Sequence, residues 1–354
     1  MTTLPVVTLI KGVSTALWPV IGQERAVSLL EQSLERAAVA HAYLLVGPQH
    51  VGKMTLALTI AQALNCQAET PPCGQCPACK RISQGNHADV QVIGLENITG
   101  EEKRSKTEIS IDQVRDLQHL ASLAPFEGAY RVFIIDRAER LSLEAANALL
   151  KTIEEPEARV VFILLAVCED GLPTTVVSRC QRLELRPMAT GEIERALREQ
   201  RQIDPDRAKL LGRVSHGLLG WAFSAASNEK LLAERLEKRD RMINLISGGL
   251  APRLAYAVEL ADIFTRDRQK AREILEIWRE WWHDLMLVKL AIGEAVTSVD
   301  RATELETMAA GLTLKQIRKF IGDIKMAEEE LEQNASPRLV LEVLILNIPE
   351  GKNG

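Results

Sequence analysis

The sequence predicts an α/β domain built on a parallel sheet and carrying a metal module, followed by two all-helical domains. Three observations lead there. In the first half of the chain, short apolar runs bounded by charge alternate with helical periodicity, as in a parallel sheet covered on both faces. Strand signals stop after Leu185-Arg186-Pro187, and everything beyond has helical spacing. At roughly 150 residues per domain, 354 residues are too many for a single core.

The elements follow in order. The apolar start Met1 to Ile10 is broken by Lys11 and has no basic leader, and no apolar run approaches the ~18 residues needed to span a bilayer, so the chain reads as cytoplasmic and free of the membrane. Ala42-Tyr43-Leu44-Leu45-Val46 is the first strand, and Arg131 to Ile135 and Val160 to Leu165 are the next two, all of central type. Between them Ser110 and Asp112 precede Val114, Leu117, Leu120 and Ala121, a capped amphipathic helix. Residues 96–107 are polar without periodicity and read as an exposed loop.

Pro187 punctuates the end of the sheet domain, and Gly248-Gly249 with Pro252 marks a second boundary, giving domains 1–187, 188–248 and 249–354. Residues 188–246 read as short helices broken at Gly212, Gly217 and Gly220. In the last domain Leu314, Ile317, Ile321, Ile324 and Ala327 form one stripe, and Leu339 to Leu346 is apolar nearly all round, the pattern of a helix buried in its own bundle or against a partner. With 46% hydrophobic and 26% charged residues the chain is globular, and a formal charge of −5 argues against bulk wrapping of nucleic acid while leaving room for a local basic face.

Gly47-Pro48-Gln49-His50-Val51-Gly52-Lys53 follows a strand and opens a helix, the context a phosphate-binding loop requires. Its backbone N–H groups and the helix N-terminus would cradle phosphates while Lys53 reaches the β and γ oxygens. The next residue should carry a hydroxyl for Mg²⁺, but it is Met54, whose thioether is no ligand for a hard cation, and Thr55 comes one position late. The acidic pair expected at a neighbouring strand end reads Asp136-Arg137-Ala138-Glu139, with Arg137 where the water-activating acid belongs and Glu139 expected on another side of the turn. Gly47, Gly52, Lys53, Thr55 and Asp136 are therefore the residues of a degenerate nucleotide site, and the sequence leaves open whether a nucleotide is held there.

Cys66, Cys73, Cys76 and Cys79 supply four thiolates in two overlapping C-x-x-C steps, with Pro71, Pro72, Gly74 and Pro77 for the turns, a spacing that suits one tetrahedral Zn²⁺. A redox dithiol would need only one such step. His87 reads as a surface residue, and Cys168 and Cys180 as free cysteines packed like small hydrophobes. Trp278, Trp281 and Trp282 read as core or subunit contact rather than a stacking platform for bases, and Lys230 to Met242 as a solvated face of mixed sign. His216 shows no carboxylate partner in the sequence.

Several stretches resemble the clamp loader subunits of the bacterial replicative DNA polymerase, members of the AAA+ class. They are Val20-Ile21-Gly22-Gln23-Glu24, the run Ala145 to Pro156 (AANALLKTIEEP), Ser178-Arg179-Cys180, and the final helices from Asn334 to Leu346. The resemblance thus covers about Val20 to Leu346 and implies an AAA+ domain, a small helical lid and a helical collar. Within the family, Met54, Arg137, the absence of arginine from Gly217-Leu218-Leu219-Gly220-Trp221-Ala222, and Ala166-Val167-Cys168 in place of a threonine-bearing sensor are similar to the departures of its non-hydrolysing delta-prime branch. By that resemblance the cysteine module holds zinc. Arg179, with Ser178 and Cys180, would face the nucleotide of the next subunit. Partners would be gamma/tau motor subunits and a delta subunit in a hetero-pentamer, and through it the sliding clamp and primer-template DNA. The alternative within the family is an active ATPase that uses Thr55 for the metal.

Overall fold

The computed structural model describes residues 18–36, 38–95, 108–246, 248–293, 296–333 and 335–349. The loop expected at 96–107, the apolar start, and Asn334 lie outside these residues. The described residues divide into two compact units, one running to Ala196 and including Gly217–Trp221, the other comprising Leu197–His216 and the chain from Ala222 onward.

The first unit contains α1 (Glu24–Glu35), β1 (Ala42–Val46), α2 (Lys53–Asn65), α3 (Pro77–Ser83), β2 (Val90–Ile93), α4 (Ile111–Ala121), β3 (Arg131–Ile135), α5 (Leu143–Glu154), β4 (Val160–Ala166), α6 (Thr174–Val177) and β5 (Gln181–Glu184). The five strands form one parallel sheet in the order β2-β3-β4-β1-β5. Its three central strands are the three apolar runs of the sequence, and all of their residues are buried. Alternation along the strands splits the core into two clusters. Tyr43, Leu45, Val132, Ile134, Val161 and Ile163 meet α1 and α2 on one face, while Leu44, Phe133, Ile135, Phe162 and Leu164 meet α4, α5 and α6 on the other. The edge strands β2 and β5 are only partly buried. Ser110 is the N-cap of α4 as its sequence predicts, its backbone N–H donating to Gln113 Oε1 at 3.0 Å.

Beyond the sheet run α7 (Thr190–Arg201), α8 (Pro205–Val214), α9 (Leu219–Ser227), α10 (Glu229–Ile246), α11 (Leu250–Arg266), α12 (Arg268–Lys289), α13 (Ala302–Gly311), α14 (Leu314–Glu332) and α15 (Pro337–Leu346). Gly217, at φ +85°, separates α8 from α9, but Gly212 lies inside α8 and Gly220 inside α9, so neither breaks a helix. The core of the second unit gathers Trp278, Trp281 and Trp282, each at most 1% exposed, with Phe320 tilted against Trp282 at 4.5 Å between ring centroids. The tryptophans are core, as their spacing predicts. Ile317, Ile324 and Ala327 of the α14 stripe join them, together with Phe320 and Leu331.

Two expectations in this region are corrected. The face Lys230 to Met242 is not simply solvated, because Met242 is fully buried and Arg239, nearly so, is gripped by Asp240 and Asp300. His216 does have a carboxylate, Glu280 of α12, at 3.0 Å from Nε2, and Arg235 shares that carboxylate at 2.6 Å. In α15, Val340, Leu341, Leu344 and Ile345 are buried, whereas Leu339, Val343 and Leu346 face solvent. Among the described residues no helix is long and apolar enough to cross a membrane.

Candidate nucleotide site, metal module and exposed arginine

The phosphate loop joins the end of β1 to the start of α2. Gly52 caps α2 at φ +108°, a left-handed conformation that leaves the first-turn N–H groups pointing out of the helix end. Lys53 Nζ donates to the carbonyls of Gly47 at 2.5 Å and Pro48 at 2.8 Å, so the loop is folded round its own lysine. Burial lowers the Lys53 pKa to about 8 even though Glu139 and Asp136 both favour its charge, and Arg137 pushes it down further. Asp136 continues the β3 pairing, its N–H donating to Ile93 at 2.8 Å, and Arg137 then takes a left-handed conformation at φ +54°. Beyond that turn Glu139 stands near enough to Lys53 to favour its charge, without an ion pair between the two, and its Oε2 is buried without a hydrogen-bond partner. The two residues flanking this chemistry are those the sequence flagged. Met54 packs against the α1/α2 side of the core, and Thr55 is exposed.

The glycine-rich stretch 217–221 lies against this loop. Gly220 N–H donates to the His50 carbonyl at 2.9 Å, and Gly217 accepts from Met188 N–H at 2.9 Å. A Cβ on Gly220 would sit 2.8 Å from the His50 carbonyl oxygen, so the approach requires glycine.

The four cysteines converge immediately beyond the other end of α2. Their sulfurs all lie within 4.8 Å of one another, and Cys73 and Cys79 are 4.0 Å apart. Four thiolates about 2.3 Å from one ion would stand roughly 3.8 Å apart, so the set can hold a metal ion. The backbone is arranged for anionic sulfur: N–H groups of Ala68 and Cys73 approach Cys66 Sγ at 3.5 and 3.4 Å, those of Gln75 and Cys76 approach Cys73 Sγ at 3.4 and 3.2 Å, and Cys79 N–H approaches Cys76 Sγ at 3.4 Å. At Cys76 burial opposes ionisation, but the N–H groups of Gln67 and Cys79 and the neighbouring thiols outweigh it and bring the pKa to about 6, while burial pushes Cys79 up.

A polar network ties this module to the loop before β3. Gln62 of α2 donates to the Cys79 carbonyl at 2.9 Å, Asn65 accepts from Tyr130 N–H at 2.9 Å, and Arg81 of α3 pairs with Glu127 at 2.6 Å. Asp89, wholly buried, accepts from the N–H groups of Phe126, Glu127 and Gly128 and pairs with Arg131. His87, expected at the surface, is 4% exposed and belongs to this network, its Nδ1 accepting from Asp89 N–H at 3.2 Å. The loop so held presents Phe126 to solvent, 83% exposed.

Arg179 follows α6 on the surface. Its Nη2 pairs with Glu154 Oε1 at 2.7 Å and its Nη1 donates to the Thr175 carbonyl at 2.9 Å, so its local acid is Glu154 of α5, while Glu184 of β5 pairs with Arg186 at 3.1 Å. Cys180 packs against the α4/α5 side of the core, where burial pushes its thiol up to about 11. Cys168, by contrast, is exposed and does not pack as a small hydrophobe.

The sequence model of the family described as "DNA polymerase III, delta subunit" matches residues 22–189. DNA polymerase III subunit delta' of Bacillus subtilis is 26% identical over 330 residues, which cover 93% of this chain and 97% of that protein. Over nearly its whole length the chain is similar to clamp loader subunits of DNA polymerase III. Subunit tau of Bacillus subtilis is 27% identical over 93% of this chain and 60% of its own length. Subunit tau of Salmonella typhimurium is 35% identical over 58% of this chain and 32% of its own length, so the chain spans only part of the tau proteins it matches. The parallel sheet with its phosphate loop, the helical C-terminal region and the four-cysteine cluster agree with the fold class that the sequence predicts.

Sequence reasoning missed Glu139 and Glu154. Glu139 acts on the charge of Lys53 from just beyond the left-handed, non-glycine Arg137, a turn that no local pattern announces. Glu154 meets Arg179 across two elements, and the only signal available was a pair of acids at a helix C-terminus, where a cation is the natural complement.

Proposed function

We propose that this chain is a delta-prime-type clamp loader subunit that hydrolyses no ATP of its own, completes the loader ring and supplies Arg179 to the ATP site of a neighbouring subunit. The observation that carries the reading is the company of Lys53. Met54 stands where a hydroxyl would hold Mg²⁺, and Arg137 brings a guanidinium where a carboxylate would activate water. A guanidinium donates only and takes no proton from water.

In this reading Cys66, Cys73, Cys76 and Cys79 hold one structural zinc ion. Residues 1–187 form the AAA+ domain, 188–248 the lid and 249–354 the collar. The partners are gamma/tau-type motor subunits and a delta subunit in a cytoplasmic pentamer that acts on the sliding clamp and primer-template DNA. Arg179, exposed and followed by the anchored Cys180, forks onto the γ-phosphate oxygens of the neighbour's nucleotide and offsets charge as it develops, an effect worth ~10³-fold or more in kcat. Replacing Arg179 with Ala in the assembled loader is expected to leave folding and metal content intact and to depress ATP consumption and clamp loading. Unchanged rates would refute the trans-acting role.

One observation favours a second reading, an active ATPase of the same family. Asp136 and Glu139 both favour the charge on Lys53, and the buried Glu139 oxygen has no partner, which supports Glu139 as the residue that acts on a water in place of the one at 137. Phosphate release by the purified chain separates the two. Turnover abolished by Glu139→Gln supports the enzyme, and no turnover in either protein supports the non-hydrolysing subunit.

A further inference from the structure

α5 ends Ile153-Glu154-Glu155-Pro156, placing two carboxylates at the negative end of a helix that Pro156 prevents from continuing. That end attracts a cation, and Arg179 is the one that comes. The backbone carrying it is pinned. Arg179 N–H donates to the Val176 carbonyl and Cys180 N–H to the Val177 carbonyl, both at 3.2 Å, and the Cys180 side chain is packed on the core. The guanidinium is then gripped from two elements, by Glu154 Oε1 on Nη2 at 2.7 Å and by the Thr175 carbonyl on Nη1 at 2.9 Å, with Ser178 Oγ at 3.4 Å from Nη1.

An arginine has five N–H donors, and these acceptors take at most three, so at least two remain for a phosphate. The Arg179 and Glu154 side chains are 39% and 45% exposed, and a pair this wet adds little to stability. Its effect is on orientation: a long side chain that would otherwise sample many rotamers is held in one.

We propose that Glu154 is the positioning residue for Arg179, fixing the guanidinium plane before the neighbouring nucleotide arrives. The proposal rests on the trans-acting reading of Arg179. Glu154 touches neither substrate nor reacting atoms and acts through the arginine alone, so an acceptor oxygen at position 154, rather than its charge, is what the function needs.

The test is steady-state ATP hydrolysis by the full loader assembled with this chain as wild type, Glu154→Ala, Glu154→Gln, Arg179→Ala and the double variant Glu154→Ala/Arg179→Ala. Thermal melting and metal content serve as folding controls. Glu154→Ala is expected to lower kcat roughly threefold to tenfold, the range that couplings between residues in contact allow, with little change in KM for ATP. Glu154→Gln, which keeps an acceptor without the charge, restores most of the rate, and the double variant is no slower than Arg179→Ala alone. Wild-type kcat in Glu154→Ala, a Gln variant no better than Ala, or additive losses in the double variant overturn the proposal. If Arg179→Ala impairs the loader and Glu154→Ala does not, only the positioning role falls. If Arg179→Ala is itself without effect, the trans-acting reading falls and the positioning role with it.

Discussion

Replacing Asp89 with Asn should unfasten the loop before β3 without changing the shape of the side chain that holds it. One carboxylate oxygen accepts from Phe126 N–H at 2.7 Å and Arg131 Nη2 at 3.2 Å, and the other accepts from Glu127 N–H at 2.8 Å and Gly128 N–H at 2.7 Å. Asparagine has one acceptor oxygen, so whichever way the amide lies, two donors face an NH₂ group. Breaking a buried ion pair from one side costs about 3–5 kcal/mol. Arg131 keeps the carbonyls of Leu120 and Ala124 at 2.5 and 3.0 Å, which puts the loss at the lower end, about 3 kcal/mol. With a urea m-value of about 3 kcal/mol per molar, the unfolding midpoint of this unit falls by roughly 1 M. Burial raises the Asp89 pKa, but three amides and Arg131 outweigh it and hold the carboxyl below its usual range. A depressed folded pKa means that the stabilisation is complete above the unfolded carboxyl pKa of about 3.9 and is lost as pH falls through the lower folded value. The gap between wild type and Asp89→Asn should therefore be full at neutral pH and close only in acid. A gap below about 1 kcal/mol at neutral pH, or one that persists unchanged in strong acid, would refute the reasoning.

Two further outcomes follow from the same geometry. Native protein should contain one zinc ion by elemental analysis, lost in Cys79→Ser, and stripping it should raise amide exchange first in residues 66–83 and then at Phe126–Tyr130, through the Gln62, Asn65 and Arg81 contacts, while the central strands stay protected. Gly220→Ala should lower the melting temperature, by an amount equivalent to about 1–3 kcal/mol, because its Cβ meets the His50 carbonyl oxygen at 2.8 Å and the phosphate loop must shift.

Burial on both faces explains what the sequence made legible. β1, β3 and β4 are covered on each side, so they are written as unbroken apolar runs, whereas the edge strands carry Gln91, Gln181, Arg182 and Glu184 and give no such run. The cysteine spacing survives folding because four ligands in two overlapping short steps converge whatever surrounds them. Long-range polar pairing is what stayed hidden. By residue type His87 belongs at the surface, yet it sits in a network organised by Asp89. His216 finds Glu280 only through the packing of helices distant in sequence. Gly212 and Gly220 look like breakers in the sequence, but glycine in a helix costs only about 1 kcal/mol, and at Gly220 close approach to His50 requires it.

The helix α2 explains how chemistry could be lost at this site while the fold around it is retained. Its 13 residues span about 20 Å, with Lys53 at one end and Cys66 of the four-cysteine cluster as the cap of the other. Gln62 and Asn65, near its far end, fix α3 and the segment leading into β3, and β3 in turn ends at Asp136, whose carboxylate favours the charge on Lys53. The loop and the cysteine module are thus two ends of one beam, and a change that moved α2 would disturb both. Met54 and Arg137 are not such changes. The thioether adds apolar contact with the core that α2 already packs against, and Arg137 is a partly exposed side chain on a turn whose backbone is fixed by the Arg140 N–H at 2.8 Å from its carbonyl. A magnesium-binding hydroxyl and a water-activating carboxylate can therefore be absent from these two positions while the scaffold that carries Arg179 and Glu154 keeps its shape.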